Sequence, residues 1–292
     1  MGLLMPALSD ADESTLIRAY DTLERPGFAV KISNVVGTPI EMALKMLPGG
    51  WYKRLHRHAE AGIAKSLEIA IRNVMLTPTV EGVSKDRRYR TLGMATGALG
   101  GLLGAPALMV ELPVTTTLML STIADIARSE GEDLDSHEGR LACLEVFALG
   151  GQTEEDDATD TGYYGLRLAL EAQVANASQY LARSSLGSTG SAPGLINLIN
   201  TLSRRFGLVL SQKTTAELIP IIGAAGGALV NRVFMKHFQD IAHSHFAIRR
   251  LERQYGPAVI QAAYARIKTR HPAPAASLPP DLPQATDSNT LV

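Results

Sequence analysis

Cysteine, aromatic side chains and net charge are all scarce in this chain of 292 residues. The single cysteine, Cys143, excludes an intramolecular disulfide framework, and its apolar neighbours indicate a buried thiol rather than a nucleophile. A net charge of −1 gives no general attraction to nucleic acid, so we expect no nucleic-acid partner. Aromatic residues are 5% of a chain that is 46% hydrophobic, so aliphatic residues dominate, and this composition favours helices.

Sustained alternation of apolar and polar residues, the pattern of a half-buried strand, is missing as well. We therefore predict an all-α protein: a multi-helix domain with two kinked glycine-rich apolar helical hairpins, over residues 36–270. A flexible linker is expected over 184–194. Residues 1–35 form a weakly helical N-terminal segment, and residues 271–292 form a disordered Pro-rich tail.

Capping residues and apolar stripes locate several helices of this domain. A weak helix is predicted over 12–24, and an amphipathic helix over 53–76. Ser136 is the expected N-cap of a helix that ends at Gly150, and a further helix covers 163–183. We expect the two glycine-rich hairpins to pack against the helices over 53–76 and 163–183.

The first glycine-rich segment, residues 91–110, contains no charged residue and is nominally long enough for a hydrocarbon core of ~30 Å. Gly93, Gly97 and Gly101 recur every four residues, so they line one helix face and let another backbone approach. Each glycine costs a helix about 1 kcal/mol, which close packing or a membrane must offset. Because prolines interrupt the segment, we predict a bent hairpin whose second helix runs from Pro113 to Arg128.

The second glycine-rich segment, residues 218–231, echoes the first but is too short to span a bilayer. We predict that both segments pack against or into a membrane. The alternative is that they are tightly packed buried helices of a soluble domain. The residues assigned to the structural and functional core of the two hairpins are Gly97, Gly101, Gly104, Pro106, Glu111, Pro113, Pro220, Gly223, Gly227, Asn231 and Arg232.

A basic patch of Lys85, Arg87, Arg88 and Arg90 directly precedes the first segment. Anionic lipid headgroups attract such a patch, at about 1 kcal/mol for each basic residue near the surface. We interpret the patch as facing headgroups, and the alternative is an ordinary solvated face.

Two motifs carry a resemblance to a known family: Gly-Gly-Leu-Leu-Gly-Ala-Pro-Ala-Leu-Met-Val-Glu-Leu-Pro at 100–113, and the Pro-Ile-Ile-Gly stretch that leads to Asn231. Over about residues 50–268 the chain resembles the EcsC family of bacterial proteins. The resemblance implies an α-helical domain, sometimes encoded beside ABC transporter components, whose activity is unsettled. Glu111 stands where the family pattern leads us to expect Asp, so the charge is kept.

Candidates for chemistry are few, and the catalytic residues stay unknown. A carboxylate such as Glu111 inside an apolar stretch is costly unless it is paired, and we hypothesise that it meets Asn231 and Arg232 and pins the hairpins together. His237, Asp240 and His243 resemble a metal cluster, but zinc-hydrolase spacing is missing and surface histidines are the better interpretation. We expect no metal and no cofactor.

The leading hypothesis is a membrane-associated helical accessory protein without defined catalysis. It would bind the cytoplasmic leaflet of the inner membrane, peripherally or monotopically, or a membrane protein, with an ABC transporter component implied by the resemblance alone. One alternative is a hydrolase-like enzyme that uses Glu111 or the His237, Asp240 and His243 cluster. Another is a carrier of lipid or another apolar ligand.

Overall fold

The described part of the chain consists of helices and short connections. The computed structural model describes residues 8–24, 28–36, 85–103, 105–151, 162–184, 193–218 and 223–271. These ranges contain no strand, so the predicted all-α fold class is confirmed. The described helices are α1 (Asp10–Leu23), α2 (Phe28–Val36), α3 (Asp86–Leu103), α4 (Ala105–Ser129), α5 (His137–Gly150), α6 (Tyr163–Ser184), α7 (Pro193–Leu218), α8 (Gly223–Tyr255) and α9 (Pro257–Arg270).

Several helix boundaries agree with the sequence signals. The Ser136 hydroxyl accepts a hydrogen bond from the Gly139 backbone N–H and caps α5, which ends at Gly150 as predicted. α6 begins at Tyr163, the first residue of the predicted helix. The helix predicted over 53–76, and nearly all of the predicted linker and tail, lie outside the described residues.

The longest of these helices, α8, is the central element of the fold. Its 33 residues extend for about 50 Å at 1.5 Å per residue. It packs against α1, α2, α3, α4, α5, α7 and α9. Val230, Phe234, Phe238 and Ile241 recur at helical spacing and are buried, so the stripe that they form anchors the other helices to α8.

Phenylalanine is sparse but concentrated in the core. All six phenylalanines of the sequence are buried, and four helices contribute them. The rings of Phe147 on α5 and Phe206 on α7 pack edge to face with centroids 4.5 Å apart. Phe238 of α8 contacts both rings, so these aromatic contacts join three helices at the centre of the fold.

Three helices that carry the glycine-rich segments run side by side. Thr96 of α3 contacts Thr115 of α4, and the backbone of Lys85 contacts Asp125, so α3 and α4 are antiparallel. α8 is antiparallel to α3 as well, because Gly97 meets Gly227 whereas Asp86 meets His243. The end of α3 at Leu103 and the starts of α4 and α8 therefore lie at the same end of the structure, which we call the glycine end.

The break in the first segment lies earlier than the prolines suggested. α3 ends at Leu103 and α4 begins at Ala105, so the predicted start of the second helix at Pro113 is wrong. Pro106 falls in the first turn of α4, where a missing N–H costs little, and Pro113 lies inside the helix. The predicted kinks are not confirmed. None of the described helices is long and apolar enough to cross a bilayer.

Candidate functional site at the crossing of two glycine-rich helices

Glycine at position 97 allows α3 and α8 to touch backbone to backbone. A Cβ atom added to Gly97 would lie 2.5 Å from the carbonyl oxygen of Gly227 and 2.6 Å from Cβ of Asn231. One turn earlier, a Cβ atom on Gly93 would lie 2.8 Å from Cγ of Met235. The two glycine-rich segments thus pack against each other, and the backbone approach predicted from the four-residue spacing is present at Gly97.

The Asn231 side chain ties three helices together at this crossing. It is fully buried, and its Nδ2 donates to the carbonyl oxygen of Gly93 at 2.6 Å. The same amide nitrogen lies 3.1 Å from Oγ1 of Thr96 and 3.3 Å from Oγ1 of Thr115. All three partners are acceptors for an amide N–H, so the position requires a donor as well as a compact side chain.

The first turn of α3 is fixed by carboxylates at the other end of the crossing. The buried Asp125 carboxylate accepts a hydrogen bond of 2.7 Å from the Lys85 backbone N–H at the start of α3. A carboxylate oxygen of Asp86 lies 2.8 Å from Nε2 of His243. The backbone carbonyl oxygen of Asp86 accepts a hydrogen bond from the Gln239 side chain. This pairing raises the pKa of His243 against the opposing effect of burial. The start of α3 is therefore held on both α4 and α8.

The predicted basic patch lies on this fixed turn. Arg87 and Arg88 are exposed, while Lys85 and Arg90 are half-buried. Arg232 of α8 is exposed beside the crossing. Within the part of the chain that the structure describes, the four arginines form no ion pair. Their charges are thus directed to solvent.

Other predicted site residues are only partly described. Pro113 is exposed on α4 and Gly227 is buried at the crossing. Four more belong to helices, but the surroundings of their side chains are outside the described part: Gly101, Pro106, Glu111 and Gly223. Two lie outside the described residues altogether: Gly104 and Pro220. The contact of Glu111 with Asn231 and Arg232 stays a prediction.

The three residues proposed as a metal cluster have separate partners. His237 donates through Nε2 to the carbonyl oxygen of Gly150 at 2.8 Å and accepts at Nδ1 from Nζ of Lys31 at 3.1 Å. Burial, and then the Lys31 charge, lower the pKa of His237 to about 3. Asp240 pairs with Lys236 instead. Among the described residues, no group of three or more His, Cys, Asp or Glu side chains could hold a metal ion.

A family model described as the EcsC protein family matches residues 44–251, which is most of the chain. This chain belongs to the EcsC family. The match covers α3 to α7 and all of α8 except its last residues, so both sides of the crossing lie within it. No curated protein and no solved structure matches the chain.

A buried polar cluster that the sequence analysis missed lies within the same EcsC match. Glu145 of α5 and His245 of α8 are both buried, with Oε2 and Nε2 3.6 Å apart. His245 Nδ1 lies 3.0 Å from the Tyr163 hydroxyl. Because that hydroxyl accepts from Arg167, we assign its own hydrogen to Nδ1, and Nε2–H then points at Glu145.

Burial shapes the ionisation of this cluster. It raises the pKa of Glu145 to about 7, although Arg249 and Arg167 act in the opposite direction. Burial likewise lowers the pKa of His245 well below its ordinary value. A charged residue in the middle of the apolar run 141–149 was the signal for this cluster, but its partners come from distant helices.

A bidentate ion pair borders the cluster. Arg167 of α6 holds both oxygens of Glu252 on α8, at 2.8 Å and 2.7 Å, and the Tyr164 hydroxyl donates to the same carboxylate. Both charged side chains are largely buried and hydrogen-bonded to each other through two atom pairs, which is the geometry in which a buried pair is tolerated. These contacts attach α6 to α8 and fix the position of Tyr163.

Proposed function

We propose that this EcsC protein is a membrane-associated accessory protein without catalysis of its own, which binds an anionic membrane surface through α3 and the adjoining part of α8. The observation that carries the proposal is the fixed first turn of α3. It presents Arg87 and Arg88 to solvent, and neither arginine has an ion-pair partner among the described residues. Held charges of this kind lose little conformational freedom when they meet phosphate groups.

Charge provides the attraction, because each basic residue near an anionic leaflet contributes about 1 kcal/mol. Three arginines, Arg87 and Arg90 on α3 and Arg232 on α8, would therefore supply roughly 3 kcal/mol before any apolar contact is made. The chain as a whole carries a net charge of −1, so the attraction depends on the local patch. Binding that depends on a local patch falls with added salt, since exposed charges are screened.

An apolar side chain beside the crossing adds to the proposal. Leu229 of α8 is 41% exposed and lies one helical turn from the exposed Arg232. Large apolar residues next to unpaired basic ones are typical of surfaces that lie at the boundary of headgroups and acyl chains. We propose peripheral binding at the cytoplasmic leaflet of the inner membrane, and a membrane protein with an acidic surface is the alternative partner.

Flotation with vesicles tests the proposal directly. Full-length protein is mixed with vesicles of phosphatidylcholine alone or with phosphatidylglycerol added. We expect flotation with the anionic vesicles, a decline as salt is raised, and none with phosphatidylcholine alone. Protein that stays unbound to anionic vesicles at low salt would overturn the proposal. Lipid that co-purifies with such a protein would favour the carrier instead.

A matched charge variant separates the patch from the overall charge. Arg87→Gln with Arg88→Gln removes two exposed charges from α3, and Arg266→Gln with Arg270→Gln removes two exposed charges from α9. We expect the α3 pair to weaken flotation by at least about five-fold, since a single charge at an anionic surface contributes about 1 kcal/mol. The α9 pair should float like the unaltered protein.

A further inference from the structure

We propose that one side of the α3–α8 helix pair, the side that carries Arg90, Arg232 and Lys236, is the surface that contacts anionic phospholipid headgroups. This inference rests on the proposed function and specifies which side of the crossing faces the membrane. The opposite side, which carries Arg88 and Leu92, would then face away from the headgroups. The two sides can be distinguished because the contacts at the crossing fix the rotation of both helices.

We define the contact line of each helix as the row of residues that lies closest to the other helix. On α3 it passes through Gly93 and Gly97, which meet Met235, Gly227 and Asn231. On α8 it passes through Asn231. In an antiparallel pair, residues that are rotated from the two contact lines in the same winding sense lie on the same side of the pair. The rotation per residue is about 100° for 3.6 residues per turn.

Two basic residues of each helix fall on one side by this measure. Arg90 precedes Gly93 by three residues and is rotated by about +60°, while Arg87 is rotated by about +120°. On α8, Arg232 is rotated from Asn231 by about +100° and Lys236 by about +140°. All four rotations are positive, so the two helices contribute to a common surface, which we call the positive side of the pair.

The opposite rotation has an independent check. Thr96 is rotated from Gly93 by about −60°, and its hydroxyl contacts Thr115 of α4. α4 therefore lies on the negative side of the pair. Leu92 and Arg88, at about −100° and −140°, lie on the α4 side and on the outward face of α3. Among the described residues, only the positive side joins exposed surface of α3 to exposed surface of α8.

Charge on the positive side exceeds what its own acids neutralise. Asp240 is paired with Lys236 at 2.7 Å, and Asp86 is paired with His243 at 2.8 Å. Arg87, Arg90 and Arg232 form no ion pair with any residue in the described ranges. Three uncompensated guanidinium groups suit phosphate oxygens, which they bind in bidentate fashion. Phosphatidylglycerol supplies such oxygens at high surface density.

The positive side also carries an exposed apolar residue, near the glycine end. Leu229, at about +160° from Asn231, is 41% exposed. Arg232 lies one turn further along α8, so the apolar side chain and the nearest guanidinium are adjacent on this face. Headgroup phosphate at Arg232 and the upper acyl region at Leu229 would both be reached if the helix pair lies along the membrane surface.

Charge removal on each side tests the assignment. Flotation with mixed phosphatidylcholine and phosphatidylglycerol vesicles compares the double variant, Arg90→Gln with Arg232→Gln, and the single variant Arg88→Gln. The ionic strength is set so that the screening length is ~8 Å. We expect about 30-fold weaker binding for the double variant, because each of the two basic residues contributes ~1 kcal/mol at a membrane surface. Arg88→Gln should change binding less than about two-fold. Equal melting temperatures show that the variants fold.

Polarity-sensitive labels provide a second readout. Cys143 is buried, and burial raises the pKa of its thiol, so a cysteine introduced at the surface can be labelled selectively. Leu229→Cys and Leu92→Cys place the label on opposite sides at nearly equal native exposure. On vesicle binding, we expect the emission of the label at 229 to shift to the blue and that of the label at 92 to stay unchanged.

The outcomes separate this inference from the function on which it rests. If the unaltered protein ignores anionic vesicles, the proposed function fails and the inference fails with it. If the protein binds but Arg88→Gln weakens binding more than the double variant does, the proposed function stands and this inference is overturned. A blue shift at 92 without one at 229 would overturn it as well.

Discussion

The carbonyl oxygen of Gly227 occupies the space that a side chain at position 97 would need. A Cβ atom on Gly97 would lie 2.5 Å from that oxygen, closer than any ordinary contact between carbon and oxygen. The obstacle is backbone, so it cannot rotate away as a side chain could. The two glycine-rich segments of the sequence thus pack against each other here, and this contact explains Gly97 without a lipid neighbour.

Gly97→Ala is therefore expected to destabilise the protein even though alanine favours helices by about 1 kcal/mol over glycine. Forcing a methyl group against backbone in a packed core costs typically 1–3 kcal/mol or more, so we expect a net loss of about 1–2 kcal/mol. Gly93→Ala is the matched comparison, because its added methyl meets the buried Met235 side chain rather than backbone, so we expect a smaller loss there. Urea unfolding of both variants measures the difference, and equal stability would contradict the backbone contact.

Asn231→Asp tests the direction of the hydrogen bonds at the crossing. The substitution replaces the Nδ2 donor, which faces the carbonyl oxygen of Gly93 at 2.6 Å, by an acceptor. An uncompensated buried carboxylate costs about 3–5 kcal/mol, whereas Asn231→Ala should cost about 1–3 kcal/mol. The aspartate variant should recover stability as the pH falls, because a protonated carboxyl donates again. Thermal melts at two pH values check this, and a pH-independent loss would refute it.

The sequence predicted the glycine contact but not its polar partners. Regular spacing marks the face at Gly97, since a helix repeats every 3.6 residues. The acceptors of Asn231 lie 138 and 116 positions away, on α3 and α4, and no periodicity connects them to it. Local patterns report local geometry, whereas this cluster depends on how separate helices dock.

Proline misled the prediction of the helix break for a related reason. Pro106 and Pro113 were both interpreted as interruptions, but the cost of a proline depends on its position in the helix. Pro106 lies in the first turn of α4, where a backbone N–H would have no hydrogen-bond partner within the helix, so its absence costs little. Neither proline lies at the break, because α3 ends at Leu103 and α4 begins at Ala105.

Tyr163→Phe is expected to destabilise the junction of α6 and α8. The Tyr163 hydroxyl donates to Nδ1 of His245 at 3.0 Å, and its loss leaves a buried ring nitrogen unpaired. Such a loss costs about 1–3 kcal/mol. Tyr164→Phe is the control, because Glu252 keeps the bidentate Arg167 when the Tyr164 hydroxyl is removed. Denaturant unfolding should show the larger loss at 163, and the reverse order would contradict the assigned hydrogen bond.

The buried carboxyl of Glu145 should make the protein less stable as the pH rises through neutrality. Burial raises its pKa from the ordinary 4.5 to about 7 in the folded chain, so between these values the folded state binds the proton that the unfolded state releases. Stability contributed by the protonated group is complete below pH 4.5 and lost as the pH rises through about 7.

Glu145→Gln removes this titration and keeps the shape of the side chain. We expect the variant to be more stable than the unaltered protein at pH 8, by on the order of 3 kcal/mol at most, with the difference shrinking toward pH 5. Urea unfolding across this pH range measures the effect. A variant that is destabilised at pH 8 would show that the charged carboxylate is well compensated by Arg249, Arg167 and the Nε2–H of His245.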